Sequence, residues 1–210
     1  MRRTKQAVNL LIIVVVAIST FGWYEIRRGF SARTEPSEVE TLMATTARML
    51  AVPSNYRQLH NPLLATPETI QAGMEHFADH CAVCHSNDGG GDTMFGKGLY
   101  PRPPDMRKAE TQAKTDGELY YTIENGVRLT GMPAFGEHPG TNDADTWKLV
   151  VFIRHLPALT AQELAQMGAL NPKTEEERLE EKQEEEFLNG ENSPSNSKKE
   201  QSHHQLRRKK

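Results

Sequence analysis

Gly73-Met74-Glu75-His76-Phe77-Ala78-Asp79-His80-Cys81-Ala82-Val83-Cys84-His85 joins a helical apolar pattern to a closely spaced cysteine pair. Just upstream, Thr66-Pro67-Glu68 carries the signals of a helix start: a capping hydroxyl, a proline at the first position and an acid in the first turn. Ile70, Gly73, Met74, Phe77 and Cys81 then fall on one face. Cys81 and Cys84 are the only cysteines, whereas a disulfide framework would want more of them at wider spacing. A zinc site lacks a second cysteine pair, and one completed by His76, His80 and His85 would crowd its ligands into a short segment. A thioredoxin-like dithiol wants a βαβ setting, and no strand pattern precedes Cys81. Cys-x-x-Cys-His is also the attachment pattern of haem c. Two thiols on one helical turn can add to the two vinyl groups at one edge of the macrocycle, and His85 follows in position to offer an imidazole to the iron. That is the reading adopted here: one covalent haem c, with His76 and His80 as surface or haem-edge residues.

Working outward, the N-terminus sets the compartment. Arg2, Arg3 and Lys5 form a basic head, and residues 7–24 follow without a charge. Such a run is just long enough to cross a hydrocarbon core of about 30 Å as a helix. Trp23 and Tyr24 suit a membrane interface, and the basic head favours an N-terminus inside. A cleaved signal peptide is the competing reading, with Ala17-Ile18-Ser19 as a weak site within the apolar run. The expectation is an uncleaved anchor in the inner membrane, single-pass, with everything from Glu25 onward on the periplasmic side.

An electron-carrying haem iron wants both axial positions filled, and a thioether opposite histidine favours the ferrous state. The downstream methionines are Met94, Met106, Met132 and Met167. Met132 sits in Thr130-Gly131-Met132-Pro133-Ala134-Phe135, where Gly131 permits close approach and Pro133 stiffens the loop. It lies 47 residues beyond His85, enough chain to pass around the haem edge. Met94 directly follows the attachment site, and Met106 and Met167 read as packing residues. Met132 is therefore the expected sixth ligand.

The remaining pattern is all-α. A capping box at Thr115-Asp116-Gly117-Glu118 opens a helix that stops at Asn125-Gly126. Another runs from about Asp143 to His155 with Trp147, Val150, Val151 and Arg154 on one face, ended by Pro157, and Thr160-Ala161-Gln162-Glu163 opens a further short one. Val39, Leu42, Met43, Met49 and Leu50 recur at helical spacing, Thr46 with them, in a segment to which no chemistry is attached. The expected organisation is an anchor at residues 1–28, a linker at 29–65, a haem domain at 66–171 and a charged, solvated tail at 172–210. That tail is Glu-rich and then basic, with His203, His204 and a terminal Arg207-Arg208-Lys209-Lys210. The hydrophobic fraction, 37%, is partly spent in the N-terminal block, so the core is thin and a covalent cofactor suits it. No basic stripe with interleaved aromatics supports nucleic-acid binding.

Residues 66–157 resemble the class I cytochromes c. The resemblance rests on the Gly73-to-His85 stretch, on Asn125-Gly126-Val127-Arg128-Leu129-Thr130-Gly131-Met132-Pro133, and on Trp147-Lys148-Leu149-Val150-Val151-Phe152-Ile153-Arg154-His155-Leu156-Pro157. It implies that the first and last helices cross near Gly73 and Phe77, against Trp147 or Phe152. It also implies a proline carbonyl that orients the ligand imidazole, for which Pro101, Pro103 and Pro104 are all placed. Arg102, Arg128, Tyr120 and Tyr121 are open between haem-propionate contacts and ordinary roles. The implied function is single-electron transfer to and from redox proteins or membrane respiratory complexes, by a carrier rather than an enzyme. A haem sensor or enzyme subunit with an open sixth position, and a structural subunit organised by its tails, are the rivals.

Overall fold

The structure is a computed structural model that describes residues 2–29, 31–136 and 143–188. Among them all regular structure is helical. Two compact units divide the chain, residues 1–168 and 169–210. The basic tip with His203 and His204 lies outside the described residues.

Helix α1 (Arg2–Arg28) is the one described helix long and apolar enough to cross a membrane, with a mean hydropathy of 2.0 over its candidate span. At its far end the Arg27 and Arg28 guanidiniums lie over the rings of Trp23 and Tyr24, 4.9 and 5.6 Å from their centroids. Helix α2 (Glu38–Ala51), capped by Ser37, follows, and a single turn, α3 (Ser54–Arg57), comes next.

The haem-domain pattern begins with α4 (Pro67–His76), whose cap is Thr66 and whose first residue is Pro67. The helix then widens to a π-helical turn over Phe77–Cys81 and closes as α5 (Ala82–His85). The expected face holds: Gly73, Met74 and Phe77 are buried, with Ile70 and Cys81 packed beside them. Two short helices, α6 (Met94–Gly98) and α7 (Ala109–Gln112), precede α8 (Asp116–Asn125). Both bonds of the α8 capping box form: Thr115 N–H donates to the Glu118 carboxylate at 2.8 Å, and Glu118 N–H to the Thr115 hydroxyl at 3.2 Å. Gly126, at φ 63°, ends the helix.

Helix α9 (Ala144–His155) starts on an Asp143 cap and buries Trp147 and every residue from Leu149 to Ile153. A helix apolar nearly all round needs cover on more than one side, and it has α4 on one flank and α8 on another. A Cβ at Gly73 would stand 2.3 Å from the Lys148 carbonyl oxygen and 2.9 Å from Phe152 Cβ, so α4 and α9 touch backbone to backbone there. Phe77 and Phe152 pack with centroids 5.2 Å apart. Trp147 instead stacks on Tyr120 of α8 at 4.2 Å, which assigns the crossing aromatic to Phe152. Two buried polar groups at the α8–α9 contact satisfy each other, the Thr146 hydroxyl donating to Glu124 at 2.8 Å. After a tight turn at Leu156–Ala158, α10 (Ala161–Leu170) brings in Met167, which is fully buried. In the second unit, α11 (Glu175–Leu188) buries none of its residues and opens on a Thr174–Glu177 box, as a solvated helix should.

The segment expected to be a linker is more than that. Tyr56 and Leu63 pack against the core, and the Asn61 side-chain amide donates to Trp147 O at 2.9 Å. Gly117 leaves room for the Tyr56 carbonyl, which a Cβ would meet at 1.7 Å. Gly73→Ala should lower stability by about 1–3 kcal/mol, because the new methyl meets backbone and the helices must part. The midpoint of a denaturant titration, measured with an unchanged slope, checks this.

Candidate functional site

The π-helical turn re-aims the end of the first helix, a common device at functional sites. It leaves Cys81 and Cys84 half-buried and His85 buried. Ser86 then turns the chain sharply, at φ 63°. The following loop is held to this helix end by Gly91 N–H, which donates to His85 O at 2.7 Å, and by the Thr93 hydroxyl on Cys84 O at 3.3 Å. Gly96 is necessary here, since a Cβ would sit 2.6 Å from Cys84 O.

The second part of the site is the loop after α8. Val127 N–H donates to Met132 O at 3.1 Å and the Thr130 hydroxyl donates to Val127 O at 2.7 Å. Met132 N–H in turn donates to the Thr130 hydroxyl at 3.2 Å. Gly126 closes the base of the loop against Pro133, 2.5 Å from where its Cβ would be. Met132 is thus presented by a self-bonded loop rather than by a helix.

These parts meet. Cys84, His85 and Met132 line one cavity of about 440 Å³, and Cys81 joins the same three around an adjoining cavity of about 50 Å³. The wall between them is apolar, built by Leu99, Met106, Leu119, Ile123, Val127 and Ile153. A volume of this size belongs to small-molecule and cofactor sites.

Burial shapes the chemistry of the donors. It pulls the His85 imidazole down to about 4, so the ring is neutral and keeps a nitrogen lone pair. Burial and the neighbouring Cys84 push the Cys81 thiol up to about 12. His85 Nδ1 is buried with no hydrogen-bond partner, although Pro101, Pro103 and Pro104 all line the larger cavity. A buried polar atom left unmatched beside an apolar void is a cost that a bound group could offset. Thiols at one wall, a neutral imidazole, a thioether and a largely apolar chamber are a donor set that fits haem c.

The other residues singled out in the sequence fall elsewhere. Met94 is exposed, Met167 lies in the core, and Met106 is a buried wall residue. His76 and His80 meet edge-on with centroids 4.9 Å apart; His80 lines the smaller cavity beside Cys81, and His76 lines neither. Tyr120 is committed to Trp147 and accepts from Asp143 N–H at 2.9 Å, Tyr121 meets Tyr56 edge-on, and Arg128 is exposed. Arg102 does line the cavity. What sequence reasoning missed is that α2 and its C-cap reach the site: Thr45, Arg48 and Val52 also line the cavity, with Met49 of the apolar stripe. Their spacing makes one helical face, but its mixed composition carries no burial signal.

The fold and this donor set are those expected of a c-type cytochrome domain, a kind of domain that carries haem c and serves electron transfer. Residues 68–153 match the family described as cytochrome c oxidase, cbb3-type, subunit III, and form a cytochrome c family domain. The chain is similar to the quinohemoprotein alcohol dehydrogenase ADH IIB of Pseudomonas putida, 28% identical over 102 residues. That alignment spans 49% of this chain and 14% of the relative's length. Among solved structures, a chain of the Kuenenia stuttgartiensis reducing HAO-like protein complex aligns at 24% identity with a TM-score of 0.41, covering 45% of this chain and 46% of its own.

Thr130→Val removes the hydroxyl that joins Val127 to Met132. It should cost about 1–2 kcal/mol, the usual loss when a hydrogen-bonded group is left unmatched, read as a lower denaturant midpoint.

Proposed function

We propose that this chain is a membrane-tethered monohaem cytochrome c that passes single electrons between redox partners on the outer face of the membrane and does no bond chemistry itself. In this reading Cys81 and Cys84 hold one haem covalently, and His85 and Met132 are its axial ligands. The observation that carries it is the convergence of Cys84, His85 and Met132 on one apolar cavity from segments far apart in sequence. When bound, haem supplies a one-electron Fe(II)/Fe(III) couple, which a thioether opposite imidazole biases toward the ferrous state.

Each residue has a task that its setting supports. The buried, neutral imidazole of His85 needs no deprotonation before it donates. The Thr130-braced loop presents Met132 with little freedom to lose on ligation. The apolar wall excludes water, which disfavours the more highly charged oxidised centre. The basic head of α1, against its apolar span, supports an N-terminus inside and a haem domain outside. A tether of this kind raises the effective concentration of the domain near membrane redox complexes. The match to one stretch of a much longer quinohemoprotein dehydrogenase is in keeping with a domain that serves larger redox assemblies.

Visible spectra of the full chain, produced with haem c maturation machinery, test the ligation. Haem should survive acid-solvent extraction, and a weak long-wavelength ferric band should vanish in Met132→Ala, whose ferrous form should bind carbon monoxide. Failure to retain haem would return Cys81 and Cys84 to dithiol or metal chemistry. Protease added to spheroplasts should digest the haem domain without lysis; complete protection would overturn the outer-face assignment.

A further inference from the structure

The family match begins at residue 68, yet the cavity is partly walled by α2, well upstream of it. The upstream segment is fastened to the domain along its length. Near its start, Arg102 pairs with Glu35 at 4.0 Å and the Tyr100 hydroxyl donates to the Glu40 carboxylate. Beyond α2, Val52 is buried, Tyr56 packs edge-on against Tyr121 at 4.9 Å, and the Arg57 guanidinium reaches back to Met49 O. Between these fastenings, Thr45, Arg48, Met49 and Val52 occupy one helical face, and that face borders the cavity. The apolar stripe of Val39, Leu42, Met43 and Leu50 is exposed instead.

Two cations, Arg48 and Lys114, border the cavity here, and neither is in an ion pair among the described residues. Arg48 has neither an ion pair nor a hydrogen bond among the described residues. Lys114, on the turn between α7 and α8, donates its ammonium to a backbone carbonyl, Glu110 O, at 2.5 Å. Burial of Lys114 and, after it, the neighbouring Arg48 guanidinium hold the Lys114 ammonium below its usual value, outweighing the opposite pull of Glu118 and Glu110. Of the carboxylates bordering the cavity, Glu118 is engaged by the Thr115 capping box and Glu110 is exposed. Two cations beside a largely apolar chamber are complementary to a ligand with an apolar body and an anionic edge. Haem has that form, with two propionate carboxylates on one side of the macrocycle.

We propose that the segment upstream of the family domain is a structural part of the haem site, and that Arg48 with Lys114 forms a cationic seat for the haem propionates. This rests on the monohaem reading above. Arg48 acts as a positioning and charge-balancing residue: its positive charge opposes the extra charge of ferric iron and so favours the ferrous form. The guanidinium fork suits a carboxylate better than a point charge does.

The test uses the full-length, haem-loaded chain in detergent and two separate readouts. Haem retained after acid-solvent extraction reports on the underlying reading. The ferrous-to-ferric ratio at fixed ambient potential, followed by spectroelectrochemical titration, reports on Arg48. Arg48→Gln should leave retained haem unchanged and lower that ratio by about three- to tenfold, the size of one lost, partly screened charge roughly 10 Å away. Lys114→Gln should shift it in the same direction, the double variant further than either, and Arg48→Lys much less. Lys148→Gln, a charge change away from the cavity, is the control. An Arg48→Gln shift no larger than the control, with haem retained, would overturn the proposal while leaving the cytochrome reading intact. Loss of haem from the unmodified chain would overturn that reading itself.

Discussion

Because Gly73 has no side chain, α4 rests directly on the backbone of α9 at Lys148, and the rest of the domain takes its positions from that contact. With the helix axes this close, Phe77 and Phe152 can pack at 5.2 Å and fill the crossing. The chain leaving α4 is then committed in direction, so the π-helical turn and α5 deliver Cys84 and His85 to the cavity. The same α9 supplies Ile153 to the cavity wall. Its Arg154 grips the turn before α8, through Asp116 at 2.9 Å and Gln112 O at 2.7 Å. A methyl group at residue 73 would therefore disturb the crossing, the attachment turn and the wall together.

The domain trades part of a hydrophobic core for a chamber. Its buried residues form one cluster around α4, α8 and α9, and the space beside that cluster is lined by apolar side chains rather than filled by them. Side chains that line a chamber make part of their dispersion contacts with what it encloses. His85 adds a buried nitrogen without a partner. Both are the marks of a fold completed by a cofactor, which is how a chain with a modest apolar fraction can hold a defined structure. The segment from residue 35 to 57 belongs to the same economy of packing. It covers a side of the chamber that α4, α8 and α9 leave open, and the charge it brings there comes from outside the family domain.

Local chemistry made much of this legible from residues alone. Caps at Thr66, Thr115, Asp143 and Thr160 place helix starts because an orphan backbone N–H needs an acceptor wherever it occurs. Cys81, Cys84 and His85 stand out by their spacing, since one helical turn sets the distance between them. Met132 stood out through the Gly131 and Pro133 that flank it. What could not be read was which faces meet over long range. Trp147 and Phe152 were equally good partners for Gly73 until the stacking of Trp147 on Tyr120 separated them. Thr45, Arg48 and Val52 stand outside the apolar periodicity of α2, and of the stripe that has it, through Val39, Leu42, Met43, Met49 and Leu50, only Met49 reaches the cavity while all five side chains stay exposed. The sequence by itself determined α4, α8 and α9, their ends and the Cys81–His85 spacing, because these follow from interactions between residues a few positions apart. Only the tertiary structure decided that α2 borders the cavity and that Arg48 and Lys114 line it together, because charges 66 residues apart are brought to one chamber by packing and by no local rule.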